Sequence, residues 1–224
     1  MPNFAIEKSI RDGGRGVAGI DEVGRGPWAG PVVAAAFMFL EPPPRRLAAR
    51  IDDSKALPTP LRRIAAAKLE AFCVKGGAVF AIGVASVEEI DRFNILQATF
   101  LAMSRALKLL PQPAEAVLVD GNKVPIGLPC PATPVIGGDG LSLSIAAASI
   151  MAKVHRDAIM AELSLIHKGY GWETNAGYGT KAHQEALLRL GVTTHHRQSF
   201  APIRNLLKFK TLDETIPMIH SLLD

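Results

Sequence analysis

With 224 residues, 48% of them hydrophobic and 21% charged, the chain can bury a substantial core, which excludes a disordered protein and suits one domain with at most a small appendage. No apolar run approaches the ~20 residues of a membrane-spanning helix. The opening MPNFAIEKSIRDGGRG mixes charges of both signs without the apolar segment of an export signal, so a soluble, cytoplasmic protein with no membrane attachment is expected. A formal charge of +4 favours an anionic partner without specifying one. Cys73 and Cys130 lack the spacing of a zinc site and read as reduced thiols.

In chain order, Val17 to Asp21 and Pro31 to Leu40 are short apolar segments around a glycine-dense loop, which predicts two adjacent strands. The stretch EPPPRRLAAR is a connection leading towards a helix. From Thr59 to Val74, Leu61, Ile64, Ala65, Leu69 and Phe72 recur at helical spacing opposite Arg62, Arg63, Lys68 and Glu70. Ala78 to Ala85 reads as a buried strand. Ser86, with Glu88 and Glu89 behind it, opens a helical stretch that continues from Asn94 to Leu110, where Pro111 ends it. Ala116 to Asp120 is an apolar strand delivering an acid at its C-terminal end, and Thr133 to Ile136 is another strand candidate.

Leu141 to His167 predicts a long helix whose Ala146, Ala147 and Ala148 allow close approach to the sheet. After a turn-rich stretch, Lys181 to Leu190 predicts a short helix, and Ile203, Leu206, Leu207, Met218, Ile219 and Leu222 keep helical spacing in the tail. Strands in succession followed by alternating helices and strands predict a three-layer α/β fold with a mixed sheet.

Four carboxylates stand at or just beyond strand ends: Asp21 and Glu22 after GVAGI, Asp120 after AVLV, and Asp139 after the segment from Pro134 to Gly138. Oxygen ligands converging from several strands are what a hard divalent cation requires, and a cation offsets the repulsion of clustered acids. Singly, each Asp also fits an ordinary Asp-Gly turn. Gly24-Arg25-Gly26, with Pro27, Gly30 and Pro31, makes a rigid loop with unshielded amides, suited to close approach by a sugar-phosphate backbone. A Gly/Pro hairpin turn would explain the glycines but not Asp-Glu and Arg at fixed offsets. Asp157, Tyr170 and Trp172 read as structural, His183, five residues after Tyr178 at the start of a helix, as a residue that could come near the substrate, and Lys153 and Arg156 as phosphate contacts or solvated surface.

The string Asp21-Glu22-Val23-Gly24-Arg25-Gly26-Pro27 resembles the signature of the ribonuclease HII family, and six further strings follow in the family's order. They are Asp53-Ser54-Lys55, Asn94 to Thr99 (NILQAT), Val119-Asp120-Gly121-Asn122, Ala146 to Asp157 (AAASIMAKVHRD), Gly177-Tyr178-Gly179-Thr180, and His196 to Phe200 (HRQSF). The resemblance implies a ribonuclease H-like catalytic domain over 1–200 and a helical tail over 201–224 packed on it. It implies an endonuclease that hydrolyses the RNA strand of RNA/DNA hybrids and cuts 5′ of single ribonucleotides in duplex DNA, leaving 3′-hydroxyl and 5′-phosphate ends.

It further implies Mg²⁺ or Mn²⁺ held by Asp21, Glu22, Asp120 and Asp139. Gly24, Arg25 and Gly26 would read the ribose 2′-hydroxyl through backbone groups, Ser54 and Lys55 would contact phosphate, and Tyr178 would stack on the sugar beside the cut. A monomer is expected, acting alone or on a sliding clamp. Two departures stand out: a glycine, Gly137, replaces the usual lysine before Gly138-Asp139, and Ala56 replaces a second lysine after Lys55. The rival readings are a junction resolvase-type DNA nuclease with the same acidic fold and a binding module that uses only its basic surface.

Overall fold

Short apolar and β-branched residues make Val17–Val23 (β1) and Val32–Phe39 (β2) an antiparallel pair in which Ile20 faces Ala36 and Asp21 faces Ala35. These elements belong to a computed structural model that describes residues 2–10, 16–51 and 58–208. Ala78–Ala85 (β3) joins the free edge of β2 antiparallel, Ala116–Asp120 (β4) joins β1 parallel, and Ala132–Val135 (β5) joins β4 parallel. The order β3-β2-β1-β4-β5 gives the mixed sheet that the sequence predicts.

Every residue of β2 is buried because helices cover both faces of the sheet. Side chains alternate across the pleat. Ala34, Ala36 and Met38 pack with Ala98, Ala102 and Met103 of Val87–Lys108 (α4) on one face. Ala35, Phe37 and Phe39 pack on the other with Leu69 of Thr59–Val74 (α3) and with Ala147 and Met151 of Leu143–Ile166 (α5). The close seat of α5 on β1 depends on Gly19, where a Cβ would lie 2.2 Å from the backbone N of Ile145.

Helix α4 differs from the smooth helix expected. Ser86 caps it with a full capping box, but Asn94 sits at φ 69°, ψ 164° inside it, and the Asn94 Oδ1 accepts from Leu96 N at 3.0 Å and Gln97 N at 3.2 Å. Asn94 therefore caps a second helical segment. Two short helices, Ala5–Ile10 (α1) and Trp172–Asn175 (α6), were not expected, and the approach to a helix in EPPPRRLAAR is the four-residue Arg45–Ala48 (α2). Helix α1 is held by buried Glu7, whose Oε1 accepts from Ser142 Oγ at 2.7 Å and Ser144 N at 3.0 Å at the start of α5.

Lys181–Leu190 (α7) has the predicted bounds. Residues 201–208 are helical; Ile203 is buried, and Leu206 and Leu207 pack beside Met160, Tyr170 and Trp172. The rest of the predicted tail, including Met218, Ile219 and Leu222, lies outside the described residues. Among the described residues no helix is long and apolar enough to cross a membrane.

Candidate active site

The ladder between β1 and β4 ends at Ile20 and Val119, so Asp21 and Asp120 follow on the next rung of adjacent parallel strands. Asp21 is 4% exposed. Its Oδ1 accepts the Glu22 N–H at 2.7 Å, and Ser149 of α5 hydrogen-bonds its side chain. Burial pushes the Asp21 carboxyl well above its usual range, and the charges of Glu22 and Asp120 push the same way. Burial also raises Glu22, against the pull of Arg25, whose Nη1 lies 3.2 Å from Glu22 Oε1. Three acids thus meet at one end of the sheet, where Glu22 and Asp120 disfavour ionisation of Asp21.

Asp139 reaches the same end by a separate route. Beyond β5 the chain makes a 3-10 turn over Gly138–Gly140, and Gly138 N donates to Asp120 Oδ1 at 2.7 Å. That bond ties the Asp139 turn to the end of β4. Glu22 and Asp120 open into a cleft of about 350 Å³ with Arg25, Asn122 and Lys123 at its rim and Leu96 and Phe100 of α4 on its wall.

Hard oxygen donors, burial and mutual repulsion fit a hard divalent cation. Among the described residues no three ligand-type side chains form a finished cage.

The glycine-rich loop is anchored from behind by two buried arginines. Arg197 donates from Nη1 to Arg25 O at 2.9 Å, from Nη2 to Gly24 O, and from Nε to Gly30 O at 2.9 Å. Arg156 of α5 donates to Pro31 O at 3.0 Å, Ala176 O at 2.9 Å and Ala29 O at 3.1 Å. Burial lowers their pKa values, Arg197 to about 9 and Arg156 to about 10, which leaves both charged at neutral pH. A trans peptide points its C=O and N–H in opposite directions. With the Gly24 and Arg25 carbonyls turned in to Arg197, the N–H groups of Arg25 and Gly26 point away from the guanidinium. Gly24 itself is at φ +94°, and a Cβ there would sit 2.2 Å from Arg156 Nε.

Arg156 is therefore neither a phosphate contact nor solvated surface: it is fully buried. Its signal was present in the sequence, because Ala148, Ala152, Arg156 and Met160 fall at four-residue steps on one helix face. Arg197 gave no comparable sign beyond its place in HRQSF. Asp157 pairs with Lys153 Nζ at 2.6 Å and Arg62 Nη1 at 3.5 Å, while Tyr170 and Trp172 are buried.

Tyr178, 46% exposed, comes beside the loop although it is distant in sequence: a Cβ on Gly26 would lie 3.5 Å from its ring. Backbone bonds fix the approach, with Trp28 N donating to Gly177 O at 2.8 Å and Arg197 N to Trp28 O at 2.8 Å. The structure thus brings together Asp21, Glu22 and Asp120, places the Asp139 turn against Asp120, and sets Tyr178 against Gly26. Ser54 and Lys55 lie outside the described residues.

The ribonuclease HII family model matches residues 18–203. Ribonuclease HII of Rhodospirillum rubrum is 58% identical over 211 residues, covering 92% of each chain. That of Paramagnetospirillum magneticum is 56% identical, covering 93% of this chain and 100% of its own. Among solved structures, the ribonuclease H2 from Pyrococcus horikoshii OT3 aligns with a TM-score of 0.68 at 23% identity, over 85% of this chain and 96% of its own. RNase HII from Archaeoglobus fulgidus, solved as a PCNA complex, gives 0.67 at 24% identity with the same coverage. Bst-RNase HIII in complex with Mn²⁺ gives 0.64 at 19% identity, over 86% of this chain and 69% of its own. These structural likenesses speak for a ribonuclease H-like fold, while the matched span and the near relatives carry the family: this chain belongs to the ribonuclease HII family of endoribonucleases.

Proposed function

We propose that the chain is a metal-dependent endonuclease that cuts the RNA strand of RNA/DNA hybrids. It also cuts 5′ of single ribonucleotides embedded in duplex DNA, leaving 3′-hydroxyl and 5′-phosphate ends. The observation that carries this reading is the contact between two parts of the site. Gly24, Arg25 and Gly26, suited to a ribose and with Tyr178 beside Gly26, follow directly on Asp21 and Glu22, suited to a cation, and Arg25 Nη1 lies 3.2 Å from Glu22 Oε1.

Asp21, Glu22 and Asp120 would hold Mg²⁺ or Mn²⁺, with Asp139 arriving beside Asp120. Such a cation supplies an activated water and a counter-charge for the phosphate and the leaving 3′-oxygen. The outward N–H groups of Arg25 and Gly26 donate to the ribonucleotide, whose 2′-hydroxyl is what separates RNA from DNA. The Tyr178 ring packs on the following sugar and tests its size and pucker. Arg25 and Lys123 at the cleft rim counter phosphate charge, as does Lys55 by its place in the phosphate-contacting string, where the Ser54 hydroxyl is suited to donate to a phosphate oxygen. Asp139 is suited to assist proton transfer or product release.

The archaeal relative was solved with PCNA, and a sliding clamp is the partner class we assign to this chain, acting as a cytoplasmic monomer otherwise. The test is Asp120→Asn, scored for turnover and for hybrid binding in Mg²⁺. Cleavage is expected to fall by ~10³-fold or more, as loss of several kcal/mol of transition-state stabilisation implies, with hybrid affinity within a few-fold of the parent. Near-parental cutting by this variant would remove Asp120 from the metal site.

A further inference from the structure

His183 and His196 take no part in the reaction described above, yet both are fully buried and linked Nε2 to Nε2 at 3.1 Å. Their partners admit one arrangement of protons. The indole N–H of Trp172 can only donate, and it meets His183 Nε2 at 3.2 Å. That nitrogen is therefore an acceptor, and the His183 proton sits on Nδ1, where it is donated to the Tyr178 carbonyl at 2.9 Å. His196 must then donate from Nε2 to His183, and its bare Nδ1 accepts from the Thr193 N–H at 3.0 Å and the Thr193 hydroxyl at 2.9 Å. Burial holds both imidazoles below the ordinary histidine range, His196 down to about 3, so this arrangement is neutral at working pH.

One oriented chain of hydrogen bonds thus runs from Thr193 through His196 and His183 to the Tyr178 peptide. The next residue, Arg197, holds the carbonyls of Gly24 and Arg25. Neighbouring side chains of a single segment therefore reach both elements that read the ribonucleotide: the loop through a guanidinium and Tyr178 through paired imidazoles. A bulky ring that is 46% exposed gains a defined place only if its backbone is pinned, and the Tyr178 carbonyl is pinned from two sides, by Thr180 N at 2.8 Å and His183 Nδ1.

We propose that His183, backed by His196, is a positioning residue that fixes Tyr178 against Gly24–Gly26 and so sets the preference for a ribonucleotide followed by a deoxyribonucleotide. The proposal rests on the reading of Tyr178 as the ring that packs on that sugar.

The side-chain amide of Asn falls near the place of a histidine Nδ1, and that of Gln near Nε2. His183→Asn therefore keeps the donor to Tyr178, and His183→Gln loses it. For the parent and both variants, kcat/KM is to be measured in Mg²⁺ on a DNA duplex with one ribonucleotide and on a hybrid with an all-RNA strand. His183→Gln is expected to lower the ratio of the two by about tenfold, the worth of one neutral hydrogen bond, while His183→Asn stays within about twofold. Equal losses on both substrates from both variants, in step with melting temperature, would reduce His183 to a packing residue.

Tyr178→Ala separates the two levels of the proposal. If that variant collapses the ratio and His183→Gln does not, positioning by His183 is wrong. If Tyr178→Ala leaves the ratio intact, the reading of Tyr178 fails first. A measurement that needs no variant is the ¹⁵N spectrum of histidine-labelled parent protein. It should show His183 protonated on Nδ1, and a proton on Nε2 instead would overturn the assignment.

Discussion

Asp21→Asn is expected to abolish cleavage and yet to melt higher than the parent in metal-free buffer at neutral pH. The Asp21 carboxyl is raised well above its ordinary value of 3.8 by burial, by Glu22 and by Asp120. A group whose folded pKa is raised stabilises the fold fully below its unfolded pKa, and that contribution is lost as pH rises through the folded value. Above that window the ionised, buried carboxylate weighs against folding. Asparagine removes the charge and keeps an oxygen for the Glu22 N–H. A gain of a few degrees is expected, as ~1 kcal/mol gives for a domain of this size. The gain should be absent near pH 4 and appear as pH rises to 8.

Adding Mg²⁺ should reverse the order, because a ligand that binds only the folded parent stabilises it by mass action. Activity of the variant should fall by ~10³-fold or more. Melting curves with chelator and with Mg²⁺ at several pH values provide the check. A variant that melts below the parent at pH 8 in chelator would count against a strained acidic cluster.

The second large effect is expected at Arg197. Arg197→Met leaves the carbonyls of Gly24, Arg25 and Gly30 without their guanidinium inside the protein. A buried acceptor stripped of its donor costs about 1–3 kcal/mol, and hydrogen bonds to a charged group lie at the upper end, so a loss of about 3 kcal/mol or more is expected in urea unfolding. Below its melting temperature the variant should cut at a ribonucleotide at least ~10-fold more slowly, because the outward N–H groups depend on the inward carbonyls. Arg197→Lys keeps the charge but not the planar fork, and should recover only part of either loss. A folded Arg197→Met that cuts at the parental rate would show that the loop holds its shape without the clamp.

Much of this fold is readable in the amino-acid string because its elements are written in simple periodicities. The bounds predicted for α3, β3, β4 and α7 coincide with those observed, since each is an apolar run or a 3.6-residue pattern closed by Pro, Gly or a cap. Asp120 was found because the apolar strand β4 ends in it, and Asp21 and Glu22 because they follow the apolar run GVAGI, although β1 continues through them to Val23 and Asp139 lies in the 3-10 turn beyond β5. What periodicity does not reach are interactions completed by distant partners. The break at Asn94 looks like any polar residue within a helix until its side chain is seen capping Leu96 and Gln97.

Arg156 sits on an apolar stripe but is an arginine, and the carbonyls of Ala29 and Pro31, more than a hundred residues away, together with that of Ala176 make its burial tolerable. The imidazole pair behind Tyr178 needs a partner from each of two segments, so the string could place His183 towards the substrate but could not show its link to His196. Helices α1 and α6 are too short to form by local preference and exist through the contacts of Glu7 and Trp172.

The central claim is that an acidic strand-end cluster and a ribose-reading loop act as one site. Its most direct test is cleavage of a DNA duplex carrying one ribonucleotide, beside the all-DNA duplex of the same sequence, in Mg²⁺, in Mn²⁺ and with chelator. A single cut 5′ of the ribonucleotide, with 3′-hydroxyl and 5′-phosphate ends, present with either metal and absent with chelator or on all-DNA, is the predicted result. Equal cutting of the all-DNA duplex, or cutting that survives the chelator, would contradict it.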